Sequence, residues 1–229
     1  MNSAIIVAAG MSTRFGGDVP KQFVDLAGKP VLAHTLEKFQ RCEPVDEIVL
    51  VLPADVVSSL NRYLDAGTFT KLTAVVAGGP TRAQSVFNGL AAVDSRCEIV
   101  AIHDAARPFV MERDIGLVLA SARKSGAACL VRQVHDTIKR IDGGNIVATL
   151  DRSNLRRAQT PQAFEISLLR QAFDSALLDE SVTDECSLVE RLGIHISIIE
   201  GSLRNIKITT MEDLGLAEAM LRVETENND

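Results

Sequence analysis

Short runs of β-branched and other apolar residues recur along the chain, and between them lie stretches whose apolar positions fall at helical spacing. The runs are AIIV (4–7), EIVLVL (47–52), TAVV (73–76), EIVAIH (98–103) and AACLVRQV (127–134). Their nearly unbroken hydrophobic character is what strands buried on both faces of a parallel sheet require. Val31, Leu32, Leu36 and Phe39 mark one intervening amphipathic helix, and Ile115, Leu117, Val118 and Leu119 mark another. Helices of this kind cover both faces of such a sheet, so the pattern predicts an α/β fold wound in βαβ units.

The rhythm changes after Val134. HDTIKRIDGGNIVATLDRSNLRRAQTPQAF carries two alternating stretches around DGGN, which predicts a hairpin or extended arm at about 135–163 rather than another βαβ unit. Two strands alone are marginal in water, so the arm is expected to lean on a second copy of the chain, giving a homodimer. Helices are predicted over 165–179 and 184–192, followed by a strand IHISII (194–199) and the segment NIKITT (205–210). A last helix is predicted from Met211, with Glu212 and Asp213 placed to suit the helix dipole, and a frayed tail ETENND. With no internal repeat and no low-complexity linker, residues 1–229 read as a single domain.

Composition narrows the partners. The chain has 229 residues, 46% of them hydrophobic, and a formal charge of −6. An acidic balance argues against a general nucleic-acid or membrane-surface binder, whose footprint is a basic stripe. No stretch approaches the roughly 20 apolar residues of a membrane span, and MNSAIIVAAG has no basic leader segment. Cys42, Cys97, Cys129 and Cys186 are widely spaced, as reduced thiols of a cytoplasmic protein would be, and do not form a metal-ligand pattern. Any anionic ligand must therefore be met by local clusters of Arg and Lys.

In open α/β sheets ligands sit beyond the carboxyl ends of the strands, here the loops at 8–20, 77–85 and 103–109. In the first, Ala8, Ala9 and Gly10 keep side chains clear so that backbone N–H groups can approach a nucleotide, while Arg14 and Lys21 reach phosphates from its two ends. The same residues also fit a glycine-rich connection with two solvated cations. Neither GK[ST] nor GxGxxG occurs, which sets aside ATPase and dinucleotide-binding signatures. In GGPTRAQSV (78–86), Gly78 and Gly79 allow backbone to lie against a flat base and Ser85 offers a hydroxyl to its edge; a tight turn capped by Thr81 accounts for them equally. In IHDAARPF (102–109), Asp104 suits a ribose hydroxyl or a metal-bound water and Arg107 a phosphate, or the two neutralise each other. His103 reads as a packed histidine. Further cations and hydroxyls, Thr137, Lys139, Arg152, Arg156, Arg157, Thr160, Arg204 and Lys207, suggest a second anionic site; most of the cations fit solvated surface charge, and Arg152 and Lys207 are the candidates.

The ordered set AAGMSTRFGGDVPKQF, GGPTRAQSV, HDAARPF, DTIKR, LDRSNLRRAQTPQAF, TDECSLVE and GSLRNIKITT closely resembles the 2-C-methyl-D-erythritol 4-phosphate cytidylyltransferases of the non-mevalonate isoprenoid pathway, over nearly the whole chain. Ser12 stands where that family often has a second loop glycine. The resemblance implies a nucleotide-diphospho-sugar transferase-like three-layer sandwich with a protruding β-arm that reaches the neighbouring subunit's site. It implies cytidine contacts from Ala8, Ala9, Gly10, Gly79 and Ser85, with Asp104 meeting ribose and acceptor. Arg14, Lys21 and Lys207 would hold the triphosphate, Arg14 and Lys21 acting in catalysis. Arg107, Thr137, Arg152, Thr160 and Lys207 would receive the acceptor, Arg152 across the dimer. Mg²⁺ would be held mainly by CTP phosphates and water. A sister group making CDP-ribitol from ribitol 5-phosphate shares most of these motifs, and a non-catalytic nucleotide-binding protein of the same fold is the alternative outside enzymes.

Overall fold

Six consecutive buried residues, Glu47–Leu52, mark an interior strand of a seven-stranded sheet. The computed structural model describes residues 1–10, 15, 20–176, 178 and 182–226. In chain order its first half comprises β1 (Asn2–Val7), two short strands β2 (Asp25–Leu26) and β3 (Lys29–Pro30), α1 (Val31–Arg41), β4 (Glu47–Leu52), α2 (Ala54–Val57), β5 (Leu72–Ala77), α3 (Arg82–Ala91), β6 (Ile99–Asp104) and α4 (Glu112–Ser125). The second half comprises β7 (Ala127–Gln133), β8 (Lys139–Asp142), β9 (Asn145–Thr149), β10 (Arg156–Glu165), α5 (Ile166–Asp174), α6 (Glu185–Glu190), β11 (Ser197–Glu200) and α7 (Met211–Glu226).

The strand order is β11-β7-β10-β6-β1-β4-β5. All pairings in it are parallel except those of β10, which runs antiparallel to both β6 and β7. One core layer joins Leu32, Leu36 and Phe39 of α1 and Ile115, Val118 and Leu119 of α4 to one face of the sheet. The other joins Val86 and Leu90 of α3, Leu169 and Phe173 of α5 and Leu188 of α6 to the opposite face. The result is the expected mostly parallel three-layer sandwich. Leu117, read as part of a helical apolar stripe, is 40% exposed and faces away from the core.

Local chemistry fixes the helix ends. Thr81 caps α3, its side chain accepting from the Gln84 N–H at 3.0 Å, and Asp184 caps α6 through the Ser187 N–H at 3.0 Å. Glu112 and Asp114 open α4, Arg123 and Lys124 close it, and Gly126 at φ 83° ends it. At α7, Asp213 accepts from the N–H groups of Thr209 and Thr210, while the Thr210 hydroxyl accepts from the Asp213 N–H.

The second half departs from the pattern reading in several places. The arm expected at 135–163 divides: only β8 and β9 form the hairpin, turning at Gly143 and Gly144 with positive φ. Residues from Arg156 onward enter the sheet as β10, with Gln159, Thr160 and Gln162 buried. The strand expected at 194–199 forms at Ser197–Glu200, and the helices expected over 165–179 and 184–192 are α5 and α6, both shorter. The first three residues of ETENND continue α7, and the last three lie outside the described residues.

Candidate active site

The carboxyl ends of β1, β4, β5 and β6 are stitched together by backbone bonds. Ala8 N–H donates to Val51 O at 2.8 Å, Gly78 N–H to Leu52 O at 2.7 Å, and Ala105 N–H to Val7 O at 3.0 Å. Beyond these ends lies a cavity of about 500 Å³ lined by Val7–Gly10, Lys21, Gln22, Gly79–Arg82, Ser85, Asp104–Ala106 and Lys207. Gln22 is buried and donates to Ala8 O at 2.7 Å, which ties the Lys21–Phe23 turn to the end of β1. The Lys21 Nζ donates to Ile208 O at 3.0 Å. Close approach explains the glycine pair: a Cβ at Gly78 would lie 2.3 Å from the Ala9 Cβ, and one at Gly79 would lie 2.1 Å from the Gln84 Cγ. The Ser85 hydroxyl is engaged within this turn, accepting from Gly79 N–H at 3.1 Å and donating to Thr81 O at 2.9 Å.

A second cavity of about 240 Å³ adjoins the first, sharing Arg82, Asp104 and Lys207 with it and adding Arg107, Ala158–Thr160, Gln162, Thr183 and Asp184. Asp104 stands between the two and meets three cations: Lys207 at 2.8 Å, Arg82 at 3.2 Å and Arg107 at 3.5 Å. Burial opposes ionisation of its carboxyl, but Arg82, Lys207 and Arg107 overcome that and hold it well below the usual carboxylate range. The ion pair between Asp104 and Arg107, the alternative reading of that motif, is present as part of a larger cluster. Arg107 also donates to Asn205 O at 3.0 Å, and burial pulls its pKa below the ordinary guanidinium value.

His103 is fully buried, and its hydrogen bonds fix its tautomer. Asp104 N–H donates to the Thr160 hydroxyl at 3.1 Å, so that hydroxyl turns its own proton to His103 Nδ1 at 3.1 Å. Nε2–H then donates to Arg107 O at 3.2 Å. Burial pushes the His103 pKa down to about 3. It is a neutral structural histidine that holds the Asp104 backbone, not a base.

Ala8, Ala9, Gly10, Lys21, Gly79, Ser85, Asp104 and Lys207 thus gather around one cavity, and Arg107 and Thr160 join Asp104 and Lys207 around the other. Thr137 and Arg152 are exposed at the root of the hairpin and line neither cavity; Arg152 donates to His135 O. Ser12 and Arg14 lie outside the described residues. Pattern reading passed over Arg82 as a contributor and did not single out Gln22, Gln162 or Glu185. The Glu185 carboxylate is fully buried and meets Arg82 at 2.7 Å. Burial raises its pKa, with Arg82 opposing.

A family model described as IspD, 2-C-methyl-D-erythritol 4-phosphate cytidylyltransferase, matches residues 2–223. The chain belongs to this family. It is 44% identical over 224 residues to the IspD-family protein named 2-C-methyl-D-erythritol 4-phosphate cytidylyltransferase from Syntrophus aciditrophicus, covering 96% of each chain. Among solved structures of the IspD family, it resembles the 4-diphosphocytidyl-2C-methyl-D-erythritol synthase of Anaerococcus prevotii with a TM-score of 0.84 at 32% identity, covering 96% of both chains. The Francisella tularensis 2-C-methyl-D-erythritol 4-phosphate cytidylyltransferase gives 0.80 at 37% identity, covering 94% of this chain and 97% of that one.

Proposed function

We propose that this chain joins CTP to 2-C-methyl-D-erythritol 4-phosphate, giving 4-diphosphocytidyl-2-C-methyl-D-erythritol and pyrophosphate in non-mevalonate isoprenoid biosynthesis. The observation that carries this reading, beside family membership, is the pair of adjoining cavities with Asp104 and Lys207 common to both. A phosphomonoester oxygen of the acceptor attacks the α-phosphorus; that P–O bond forms as the bond to the β-phosphoryl oxygen breaks, and the electron pair leaves with pyrophosphate. The attacking oxygen is largely ionised at neutral pH, so no general base is needed, and neutral His103 offers none. What remains is electrostatic: two polyanions must meet.

In this reading Ala8, Ala9, Gly10, Gly79 and Ser85 cradle cytidine, and Lys21 and Lys207 hold the triphosphate with Arg14. Arg107, Thr160 and Asp104 receive the acceptor. Among the described residues no three His, Cys, Asp or Glu side chains are grouped to hold a metal, and the carboxylate shared by the cavities, Asp104, is already compensated by three cations. The donor set does not fit a protein-built Mg²⁺ site. Mg²⁺ would arrive on the triphosphate, held by its oxygens and water.

The test offers purified protein CTP and Mg²⁺ with either 2-C-methyl-D-erythritol 4-phosphate or ribitol 5-phosphate and times pyrophosphate release. Faster release with the methylerythritol acceptor is expected. A preference for ribitol 5-phosphate moves the acceptor, and no release with either leaves a nucleotide-binding protein.

A homodimer completes this reading. Thr137 and Arg152 line neither of the two cavities described above, and the hairpin between them exposes Ile141 at 68% and Ile146 at 66%, apolar surface that a second subunit would cover. Light scattering of the wild type is expected to give twice the 24.7 kDa chain mass, and Ile141→Glu with Ile146→Glu is expected to give monomers with reduced activity. A wild-type monomer at high concentration rejects the arm's proposed role. Four buried free thiols support a cytoplasmic location, and among the described residues no helix is long and apolar enough to cross a membrane.

A further inference from the structure

Three cations touch Asp104, and they are not equivalent. The Lys207 side chain is 36% exposed, and among the described residues the Arg107 side chain is tied besides only to the Asn205 backbone carbonyl. In the reading above both receive phosphate groups, and each loosens its hold on Asp104 as it does so. Arg82 is held differently. Its Nε donates to Asp104 Oδ1 at 3.2 Å while its Nη1 donates to Glu185 Oε1 at 2.7 Å. The Glu185 side chain is fully buried, and its Oε2 has no hydrogen-bond partner among the described residues. If Arg82 swung toward a phosphate, it would leave that carboxylate uncompensated in the interior, a strongly unfavourable state.

The helix caps make the arrangement rigid. Arg82 is the first residue of α3, directly after the Thr81 cap, and Glu185 is the first residue of α6, directly after the Asp184 cap. Asp184 is fixed in turn by the Gln162 side chain at 2.8 Å, and the same side chain accepts from the Cys186 N–H at 3.1 Å. Two capped helices on the same face of the sheet therefore hold the guanidinium from behind while it presents one N–H to Asp104.

We propose that Arg82, anchored by Glu185, is a positioning residue that keeps the Asp104 carboxylate ionised and oriented toward the acceptor's hydroxyl groups once Lys207 and Arg107 have turned to phosphate. This rests on the proposed transfer to a polyol phosphate. The nucleotide keeps its contacts with Ala8–Gly10, Gly79, Ser85 and Lys21 even where the Asp104 contact to its ribose is weakened, so the larger effect falls on the acceptor.

The test measures KM for each substrate separately, together with kcat and thermal melting. Arg82→Ala is expected to raise the acceptor KM about thirtyfold, by misplacing a substrate-orienting group, with the CTP KM changed less than about threefold. Arg82→Lys, which keeps the charge but reaches one carboxylate at a time, is expected to recover part of the loss. Glu185→Gln, nearly isosteric, is expected to raise the acceptor KM about tenfold. If Arg82→Ala fails to fold because Glu185 is left bare, Arg82→Met combined with Glu185→Gln removes both charges and carries the same prediction. Folded variants with an unchanged acceptor KM, or with both KM values raised in parallel, overturn the assignment. A wild type that releases no pyrophosphate with either acceptor overturns the underlying reading instead, and the inference with it.

Discussion

Lys21→Ala is expected to lower kcat by about 10²–10³-fold, the loss that follows removal of one preorganised transition-state donor, while CTP affinity falls far less. Lys21 opens a single 3-10 turn, Lys21–Phe23, that is fixed on its other residues. Gln22 is bonded to Ala8 O, and the Phe23 ring stacks on Tyr63 with centroids 4.4 Å apart. The ammonium reaches the cavity beside Ile208 O, next in sequence to Lys207. A cation held this way needs little rearrangement as charge moves toward the leaving oxygens. Lys21→Met, which keeps most of the side chain's bulk, is expected to behave like the alanine variant, locating the loss in the charge. Single-turnover rates with saturating CTP, alongside calorimetric CTP binding, separate the two effects. Unchanged turnover in both variants rejects the role given to Lys21.

Acid is expected to destabilise the fold through His103. Burial keeps its imidazole neutral down to about pH 3, whereas in the unfolded chain it takes up a proton near pH 6.5. Between those values the unfolded state binds more protons, so stability is full above about pH 6.5 and falls as pH drops toward 3. From pH 7 to pH 4.5 the loss is about 3 kcal/mol, with a limiting slope of about 1.4 kcal/mol per pH unit. Asp104 contributes linkage of the same sign in a lower window: its depressed pKa gives stability that is present above the unfolded value near 3.9 and lost as pH falls below it. Urea unfolding of the wild type and His103→Asn between pH 4.5 and 7 therefore isolates the histidine, and the variant is expected to show the shallower slope. Equal slopes refute the assignment of a buried neutral imidazole.

The parts of the molecule that were legible in the sequence are those whose signal is local. β1, β4, β5, β6 and β7 are hydrophobic because both of their faces are covered, and a run such as EIVLVL announces this without reference to any partner. RRAQTPQAFE, which forms β10, reads as arm because it is polar. Its Gln159 and Gln162 are buried only because Asn205, Asp184 and Cys186 supply hydrogen bonds from distant parts of the chain. The site divides the same way. Asp104, Arg107 and Lys21 follow strand tips or a glycine loop and stand out in their motifs. The pairing of Arg82 with Glu185 joins residues 103 positions apart, and no spacing rule marks it. Thr81 illustrates two readings that hold together, since the turn is capped as a β-to-α connection and also walls the larger cavity.

The place of β10 has a consequence for how the polypeptide matures. β6 and β7 are successive strands of the sheet, yet they do not pair with each other; the gap between them is filled by a segment that comes after the hairpin. While the chain is being synthesised, both facing edges stay open until Arg156–Glu165 has left the ribosome. Exposed edges of this kind recruit other strands. Fragments ending before residue 156 therefore lack the strand that joins the two parts of the sheet, and the nascent protein is most prone to aggregation just before β10 slots home.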